Sequence, residues 1–169
     1  MRLESPKRVA IFVFYDNDGI VDRCVEVFLK GLNLHLQRLV IVVNGEIDFQ
    51  ARALLSQYTN EIIIRKNEGF DVWGWKTGID YLGRDAIREY DELILVNDTM
   101  FGPFYPLSEL FDSMSPKGFD FWGITAYPED RELYSFAAKN PYKYVPTHIQ
   151  SYFTVFCKTL LISEDFYRY

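Results

Sequence analysis

The sequence is poor in the residues that define several large classes of protein. Only two cysteines, Cys24 and Cys157, occur among its 169 residues, far apart and in a helical and a strand pattern respectively. We interpret them as buried reduced thiols rather than as a disulfide, which favours a cytoplasmic protein. There is no C-x-x-C pair, no G-x-x-x-x-G-K sequence and no Ser-His-Asp order. Zinc sites, P-loops and hydrolase triads therefore have no support.

Clusters of positive charge and long apolar runs are also missing. The chain has 18 basic against 24 acidic residues, a formal charge of −6, and no basic run longer than a dipeptide. A nucleic-acid partner needs clustered Lys and Arg, so we do not expect one. No run approaches the roughly 20 apolar residues of a membrane-spanning helix, and the first residues do not form a signal peptide. We expect no transmembrane segment in this chain.

Apolar strand patterns alternate with amphipathic helix patterns as far as Ser115. Val21, Cys24, Val25 and Phe28 recur at the spacing of a helix face, which predicts a helix ending near Gly31. Three more helix faces are predicted: Ala51, Leu54, Leu55 and Tyr58 behind a capping Asp48; Val72, Trp75, Ile79 and Leu82 behind Asp71; and Leu107, Leu110, Phe111 and Met114 behind Pro106 in the first turn. The four strands that precede these helices are predicted at Arg8–Phe14, Leu39–Val43, Glu61–Arg65 and Glu92–Val96.

Four rounds of short apolar strand and helix predict an α/β fold, with a mostly parallel sheet covered by helices on both faces. After Ser115 the alternation stops. Two more strands are predicted at Asp120–Thr125 and Tyr152–Lys158, separated by a Tyr- and Pro-rich segment, Ala126–Gln150, without a clear period. Loops of that length in a compact domain are usually functional or poorly ordered. From the chain length we predict a single domain, residues 1–169.

Polar residues end each of the first four strands. They are Tyr15-Asp16-Asn17, Asn44, Asn67 and Asn97-Asp98-Thr99. In an open parallel sheet the ligand crevice lies beyond the carboxyl ends of the strands, where helix N-termini favour phosphate. The pattern therefore predicts a site for a phosphorylated ligand. The alternative at each single position is that Asn and Asp only form turns and helix caps.

Asn97-Asp98-Thr99 also suggests a cation. One carboxylate with neighbouring oxygens suits a hard divalent ion such as Mg or Mn, which could bridge to a diphosphate leaving group. One carboxylate alone is a weak metal site, so either the phosphates complete the coordination or no metal binds. The Phe-Gly-Pro that follows turns the chain sharply and keeps the end of the strand open.

Several longer stretches resemble one known family. RKNEGFDVWGWKTGIDYL, YDELILVNDTMFGPFYPL, DFWGIT and HIQSYFTVF together resemble the rhamnan synthesis protein F family of bacterial glycosyltransferases. More distantly, the order of IVVNG, Asn-x-Gly and VNDT is similar to inverting transferases of the GT-A fold. The likeness covers most of the chain, and the combination of NEGFDVWGW, NDTMFGP and HIQSYF makes it specific.

The resemblance implies a GT-A-like domain with a Rossmann-like nucleotide-binding half. It implies transfer of a sugar, rhamnose by analogy, from a nucleotide-diphosphate donor such as dTDP-rhamnose to a lipid-linked or polymeric cell-surface glycan. The expected location is cytoplasmic, at the inner face of the membrane with peripheral association. The chain ends in SEDFYRY directly after a strand, so we expect it to be truncated and part of a longer protein.

The resemblance also assigns donor-binding roles. Asp98, with Asn97 and Thr99, takes the place of the motif that holds the metal and the phosphates, although Asn97 stands where a carboxylate is usual. Asn44 stands where such enzymes often have an Asp for the base or ribose, and Tyr15 ends the first strand. Asn67, Gly69 and Asp71 would line the donor crevice, the alternative being a capped helix start. Trp73 would stack on a base or sugar, Trp75 fits the core better, and Lys76 either reaches a pyrophosphate or is a solvated helix lysine.

On the acceptor side, the resemblance points to the stretch THIQSYF. His148 suits a general base at neutral pH, with Gln150 and Ser151 beside it, although a structural histidine is an equal alternative. Asp120 and Asp130 are rival bases, and His35 is more simply a packing or surface histidine. Two other functions stay open. The chain could be a non-catalytic module that binds a glycan or nucleotide for a partner enzyme, or an unrelated flavodoxin-like regulator.

Overall fold

The computed structural model describes residues 6–131 and 143–168, in which strands and helices alternate. The strands are β1 (Arg8–Phe14), β2 (Arg38–Asn44), β3 (Ile62–Arg65), β4 (Glu92–Asn97), β5 (Phe121–Gly123), β6 (Ala126–Tyr127), β7 (His148–Ile149) and β8 (Phe153–Cys157). The α-helices of the described residues are α1 (Arg23–Asn33), α2 (Phe49–Leu55), α3 (Phe70–Leu82), α4 (Arg84–Ile87), α5 (Leu107–Met114) and α6 (Lys158–Leu161). None of these helices has the length and apolar content needed to cross a membrane.

Six strands form one sheet in the order β3-β2-β1-β4-β8-β5. The strands β1 to β4 run parallel, and β8 pairs antiparallel with both β4 and β5. β8 is therefore the one reversed strand of this sheet, and the predicted mostly parallel α/β fold is confirmed. The register places Phe14 beside Val43 and Val13 beside Asn97. The carboxyl ends of β1, β2 and β4 consequently reach the same level of the sheet.

The strands bury both of their faces, as their continuous apolar runs predict. Alternate residues of β1 point to opposite sides, so that Phe12 joins one apolar cluster and Ile11 the other. The first cluster contains buried residues of α1, α2 and α5, and the second contains those of α3, α4 and α6. The prediction of helices on both faces is confirmed.

Two glycines bring α3 unusually close to β1. A Cβ atom at Gly74 would lie 2.8 Å from Val13 Cγ2, and one at Gly78 would lie 2.5 Å from Ile11 Cγ2. Real side chains do not approach that closely, so only glycine permits this distance between helix and sheet. The first turn of α3 therefore lies directly against the ends of β2 and β4.

Several predicted details are wrong. α1 begins at Arg23, where Asp22 accepts hydrogen bonds from the backbone of Cys24 and Val25, and it continues past Gly31. Val72 is 67% exposed, because the buried face of α3 is formed by Gly74, Trp75, Gly78 and Leu82. Pro106 is the N-cap of α5 rather than part of its first turn.

The two cysteines are free, as predicted, but each is half-buried rather than fully buried. The ends of the Ala126–Gln150 segment are also more regular than predicted. β6 and β7 form an antiparallel ribbon, and a bridge between Asp130 and Val145 extends it in the same register. Residues 132–142 of this segment lie outside the described part of the chain.

We expect Gly78→Ala to destabilise the fold. The added methyl group overlaps Ile11, and overpacking of this kind lowers the free energy of unfolding by about 1–3 kcal/mol. The higher helix propensity of Ala offsets about 1 kcal/mol of this loss. Urea unfolding followed by circular dichroism measures the change. Lys76→Ala, on the exposed side of the same helix, is the control and should stay within about 0.5 kcal/mol of wild type. A Gly78→Ala variant about 1 kcal/mol more stable than this control, which is the result of helix propensity alone, would contradict the close packing of α3 on β1.

Candidate functional site

The ends of β1 and β4 are tied together by Asp98. Its Oδ2 accepts a hydrogen bond from the backbone N–H of Tyr15 at 3.1 Å. Tyr15 is 45% exposed and follows β1 directly, and Asp98 follows β4 directly. The sequence prediction that Tyr15 and Asp98 share one edge of the sheet is confirmed by this contact.

Asn97 connects the end of β4 to α3. Its Nδ2 donates to Asp71 Oδ2 at 2.7 Å, and its Oδ1 accepts from the Thr99 hydroxyl at 2.7 Å. Asn97 is buried, at 3% exposure. The residue that stands in place of a second carboxylate therefore holds Asp71 and Thr99 in position rather than facing solvent.

Asn44 plays the corresponding role at the end of β2. It is 1% exposed, its Nδ2 donates to the carbonyl of Phe70 at 3.1 Å, and its Oδ1 accepts from Arg65. Arg65 also donates to the carbonyl of Glu68 at 2.7 Å. The side chain of Asn44 is buried and bonded at both ends. This corrects the expectation that Asn44 contacts a donor base directly. It instead fixes the loop between β3 and α3.

That loop has an unusual backbone. Gly69 and Phe70 both have positive φ, 71° and 52°, and a positive φ at a bulky residue such as Phe is a strained conformation. Phe70 is 75% exposed and Trp73 is 59% exposed, with the Trp73 ring lying across Gly69. Asn67 Oδ1 is buried without a hydrogen-bond partner among the described residues. The predicted crevice residues Asn67, Gly69 and Trp73 thus lie together at the start of α3.

α3 begins without a side-chain cap. Its N-cap is Gly69, and Asp71 in the first turn is bonded to Asn97 instead of to the backbone. The alternative of a side-chain-capped helix start is therefore wrong. Backbone N–H groups of an uncapped first turn favour an anion, because they carry the positive end of the helix dipole.

Three carboxylates interact at this edge. The pKa of Asp98 is raised from 3.8 to about 6, chiefly by burial and to a smaller extent by the like charges of Asp71 and Asp16. The N–H of Tyr15 opposes this rise by bonding to the charged form. Asp16 itself accepts from the backbone of Asp18 and Ile20, both at 2.9 Å. A carboxyl group that titrates near neutrality is a frequent property of functional sites.

The remaining residue predicted for the donor, Lys76, falls outside this network, as does Trp75, which was predicted for the core. Lys76 forms an exposed ion pair with Asp80 at 2.8 Å. This agrees with the alternative interpretation of Lys76 as a solvated helix lysine. Trp75 is buried, and its Nε1 donates to the carbonyl of Val96 at 3.2 Å, so its prediction as a core residue is confirmed.

The acceptor-side residues lie on the ribbon and the turn that lead into β8. The backbone N–H of Asn97 donates to the carbonyl of Tyr152 at 3.3 Å, which places the turn at Ser151 beside the end of β4. Gln150 donates from its backbone to Thr125 at 2.9 Å. The His148 ring stacks on Tyr127 with 5.5 Å between centroids, and its Nδ1 lies 2.8 Å from the carbonyl of Pro146.

The rival bases are placed differently. Asp120 precedes β5, at the opposite edge of the sheet, and accepts from the Thr159 hydroxyl at 2.7 Å, so its candidacy as a base at this site is wrong. Asp130 lies farther out on the ribbon, in its bridge with Val145. His35 packs against Phe111 at 5.2 Å, and burial, with the charge of Arg8 as a smaller cause, lowers its pKa, in line with a packing role.

Sequence reasoning missed Arg65 and Phe70. A charged residue at the end of the apolar run IIIR was a usable signal for Arg65, since an ion there needs a partner on the neighbouring strand. Phe70 carried no such signal, because its positive φ and its carbonyl contact with Asn44 are features of the folded chain. Within residues 6–131 and 143–168, no three His, Cys, Asp or Glu side chains are grouped so that they could hold a metal ion.

The fold is similar to that of a solved structure with a different sequence. The crystal structure of 4-diphosphocytidyl-2C-methyl-D-erythritol synthase matches 96% of this chain and 82% of its own, with a TM-score of 0.56 and 16% identity. At this identity the likeness shows the fold alone.

Two curated relatives are similar in sequence. The uncharacterized protein y4gN of Sinorhizobium fredii is 28% identical over 165 residues, which is 95% of this chain and 39% of that protein. Virulence protein VirA of Vibrio anguillarum is 29% identical over 129 residues, 73% of this chain and 39% of that protein. The chain thus spans about two fifths of the length of the curated relatives it matches.

One family model covers most of the chain and includes β3 to β8 and all of β2 except Arg38, with Asn44, Asp71, Asn97 and Asp98. It is the model of rhamnan synthesis protein F, and it matches residues 39–169. The resemblance noted from the sequence is confirmed, and the chain belongs to the rhamnan synthesis protein F family.

Proposed function

We propose that this chain binds a nucleotide-diphosphate sugar at the carboxyl edge of its sheet and transfers the sugar to a cell-surface glycan. The observation that carries the proposal is that the end of β4 is bonded to both of its neighbours. Asp98 accepts a hydrogen bond from Tyr15 after β1, and Asn97 donates one to Asp71 in α3. The chain that has this arrangement is a member of the rhamnan synthesis protein F family. Open α/β sheets bind nucleotides at this edge. The family name supports rhamnose as the sugar and dTDP-rhamnose as the donor.

The donor side of the crevice is formed by the loop before α3. In the proposed complex the diphosphate lies against the uncapped first turn of α3, whose N–H groups donate to it. The exposed ring of Trp73 offers a stacking surface for the base or sugar. Asn44 and Asn97 are buried beneath this surface and contribute indirectly, by holding Phe70 and Asp71 in position.

The acceptor side contains the proposed general base, His148. A carbonyl oxygen only accepts hydrogen bonds, so the contact with Pro146 places the proton on Nδ1 and leaves Nε2 free to take a proton. His148 is four residues before Tyr152, which bonds Asn97, and an extended chain of four residues spans at most about 14 Å. In the proposed complex His148 takes the proton of the acceptor hydroxyl from the β8 side of the crevice, and Gln150 and Ser151 lie between it and Tyr152 in the chain.

The fold family implies a divalent cation near Asp98, but the residues present do not form a complete cation site. No group of three suitable side chains exists among the described residues, and one oxygen each of Asp98 and Asp71 is already bonded, to Tyr15 and Asn97. We derive no step from a metal. Binding of Mg or Mn through Asp98 stays a prediction, to be tested together with the donor.

The acceptor we propose is a lipid-linked or polymeric glycan, with the reaction at the cytoplasmic face of the membrane. A second candidate function is a non-catalytic module that binds a nucleotide or glycan. The incomplete cation site in the described part of the chain favours it. A non-catalytic module would bind the ligand without turning it over, whereas the enzyme would bind the donor and also transfer its sugar.

The variant Asp98→Asn tests the predicted binding of Mg or Mn through Asp98. A cation held there requires Asp98→Asn to weaken binding of dTDP-rhamnose at least about tenfold in the presence of manganese, and to remove the effect of manganese on affinity. Isothermal titration calorimetry with and without the metal measures both. Asp120→Asn is the matched control, because it removes a carboxylate from the opposite edge of the same sheet. Wild-type affinity and an unchanged manganese effect in Asp98→Asn would remove Asp98 from the donor site.

The same variant should be more stable than wild type at about pH 7.5. Because the folded pKa of Asp98, about 6, lies above its ordinary value of 3.8, the folded state binds the proton more tightly than the unfolded state does. Wild type therefore loses stability as the pH rises through about 6, and Asn does not. Water screens part of the destabilisation that the ionised Asp98 causes. We therefore expect Asp98→Asn to raise the free energy of unfolding by about 1 kcal/mol at pH 7.5, and by less towards pH 5. Urea melts at the two pH values measure it, and a gain of equal size at both would argue against a raised pKa.

We expect His148→Gln to lower turnover about 100-fold while donor affinity is unchanged, since a general base contributes about 10²–10⁴-fold. His35→Gln, on the opposite side of the molecule, controls for loss of any histidine. A turnover of His148→Gln within twofold of wild type would assign the base to another residue.

A further inference from the structure

Arg65, at the carboxyl end of β3, is a half-buried cation without a carboxylate partner among the described residues. The other buried or half-buried arginines of residues 6–131 and 143–168 each pair with a glutamate: Arg8 with Glu92, Arg38 with Glu61, and Arg84 and Arg88 with Glu164. Arg65 instead donates to two neutral groups, the Oδ1 of Asn44 and the carbonyl of Glu68. A guanidinium that loses water without gaining an opposite charge is costly, so this unbalanced charge indicates an anionic ligand.

Hydrogen bonds place this guanidinium at the start of α3. It donates at 2.7 Å to the carbonyl of Glu68, the residue directly before the N-cap Gly69. It also donates to Asn44 Oδ1, while the Nδ2 of the same amide donates to the carbonyl of Phe70 in the first turn. The pairing of Asn44 with Arg65 in the sheet brings these groups together. The guanidinium therefore lies beside the turn that we propose for the diphosphate.

The guanidinium of Arg65 still has N–H groups for a ligand. Its two hydrogen bonds to the protein start from the two terminal nitrogens, and each of these carries a second N–H. Its Nε donates to no group of the described residues and is not fully buried, so solvent or a ligand can reach it. The planar arrangement of guanidinium N–H groups matches the oxygens of a phosphate, which binds them through charge-assisted hydrogen bonds.

Charge is divided unequally across this edge of the sheet. Asp16 and Asp98 lie at the ends of β1 and β4, and Asp71 is held towards β4 by its bond with Asn97. Arg65 lies on the other side, at the end of β3, which β2 and β1 separate from β4. Three carboxylates outnumber one guanidinium, so Arg65 directs a diphosphate to its own side of the crevice and does not make the whole edge attractive to anions.

We propose that Arg65 binds the diphosphate of the nucleotide-sugar donor, together with the first turn of α3. This inference rests on the proposed function, because it names the side chain that meets the phosphates of that donor. Arg65 contacts the ligand itself and also holds Asn44 and the carbonyl of Glu68. The contribution of its charge to affinity must therefore grow with the negative charge of the ligand, whereas a role limited to holding the loop affects all nucleotides alike.

The test uses ligands that differ in their phosphates. Calorimetry measures the affinities of dTDP, dTMP and inorganic pyrophosphate for wild type, Arg65→Gln and Arg65→Lys. We expect Arg65→Gln to weaken binding of dTDP and pyrophosphate at least about tenfold and binding of dTMP less, because a charge-assisted hydrogen bond is lost. Arg65→Lys should lose less dTDP affinity than Arg65→Gln, since it keeps the positive charge.

Arg52→Gln is the matched control. Arg52 is an exposed arginine of α2 that forms no ion pair within the described part of the chain, so this variant removes the same charge away from Arg65. We expect it to keep wild-type affinity for all three ligands. Thermal melting confirms that each variant folds.

Each other outcome has a distinct meaning. Wild-type dTDP affinity in Arg65→Gln overturns the role of Arg65 and leaves the proposed function intact. Equal losses of dTDP and dTMP affinity in both Arg65 variants also overturn it, because Arg65 then only holds the loop. Pyrophosphate binding that depends on Arg65, in a protein that binds no dTDP, supports the anion site and contradicts the proposed donor instead. A wild type that binds neither dTDP nor pyrophosphate overturns both.

Discussion

The close contact between α3 and β1 is the constraint on which the site depends. Gly74 and Gly78 leave no side chain between the helix and the strand, so the helix axis lies nearer to the sheet than ordinary residues allow. At that distance Phe70 and Asp71, in the first turn, come within hydrogen-bond reach of Asn44 and Asn97 at the ends of two strands. A wider spacing would leave the Nδ2 groups of both buried amides without an acceptor, and a buried donor without a partner is costly.

The two buried amides set the electrostatics of the edge. An amide at Asn97 bonds Asp71 without adding a charge, so the edge carries three carboxylates rather than four. The pKa of Asp98 is raised mainly by its own burial, and the like charges of Asp71 and Asp16 add to the rise. The fold is therefore less stable with Asp98 ionised than with it protonated. The strained backbone of Phe70 also lowers the stability of the fold. Strained residues of this kind concentrate at functional sites.

The sequence predicted the sheet, and the meeting of polar strand ends at one of its edges, because both follow from the periodicity of large apolar residues and from parallel topology. It misplaced the inner face of α3, since Val72 fits the spacing of a helix stripe while the true face contains glycines that no hydrophobic pattern includes. It gave Asn44 a ligand-contacting role, since an amide at a strand end looks the same whether it faces solvent or a neighbouring loop. It did not find the β6–β7 ribbon, because strands of two residues are too short to show alternation.

A diphosphate at this edge would meet a surface that already repels it. Lys76 is engaged by Asp80 on the exposed side of α3, so it gives the crevice no free cation. The first-turn N–H groups of α3 attract an anion with only about half an elementary charge. In the proposed complex Asp98 takes up a proton, which removes one negative charge from this edge. The approaching diphosphate causes this, because its negative charge raises the pKa of a carboxyl that already titrates near 6. Without a cation, donor binding is then linked to proton uptake, and the buried position of Asp98 is what makes that uptake accessible near neutral pH.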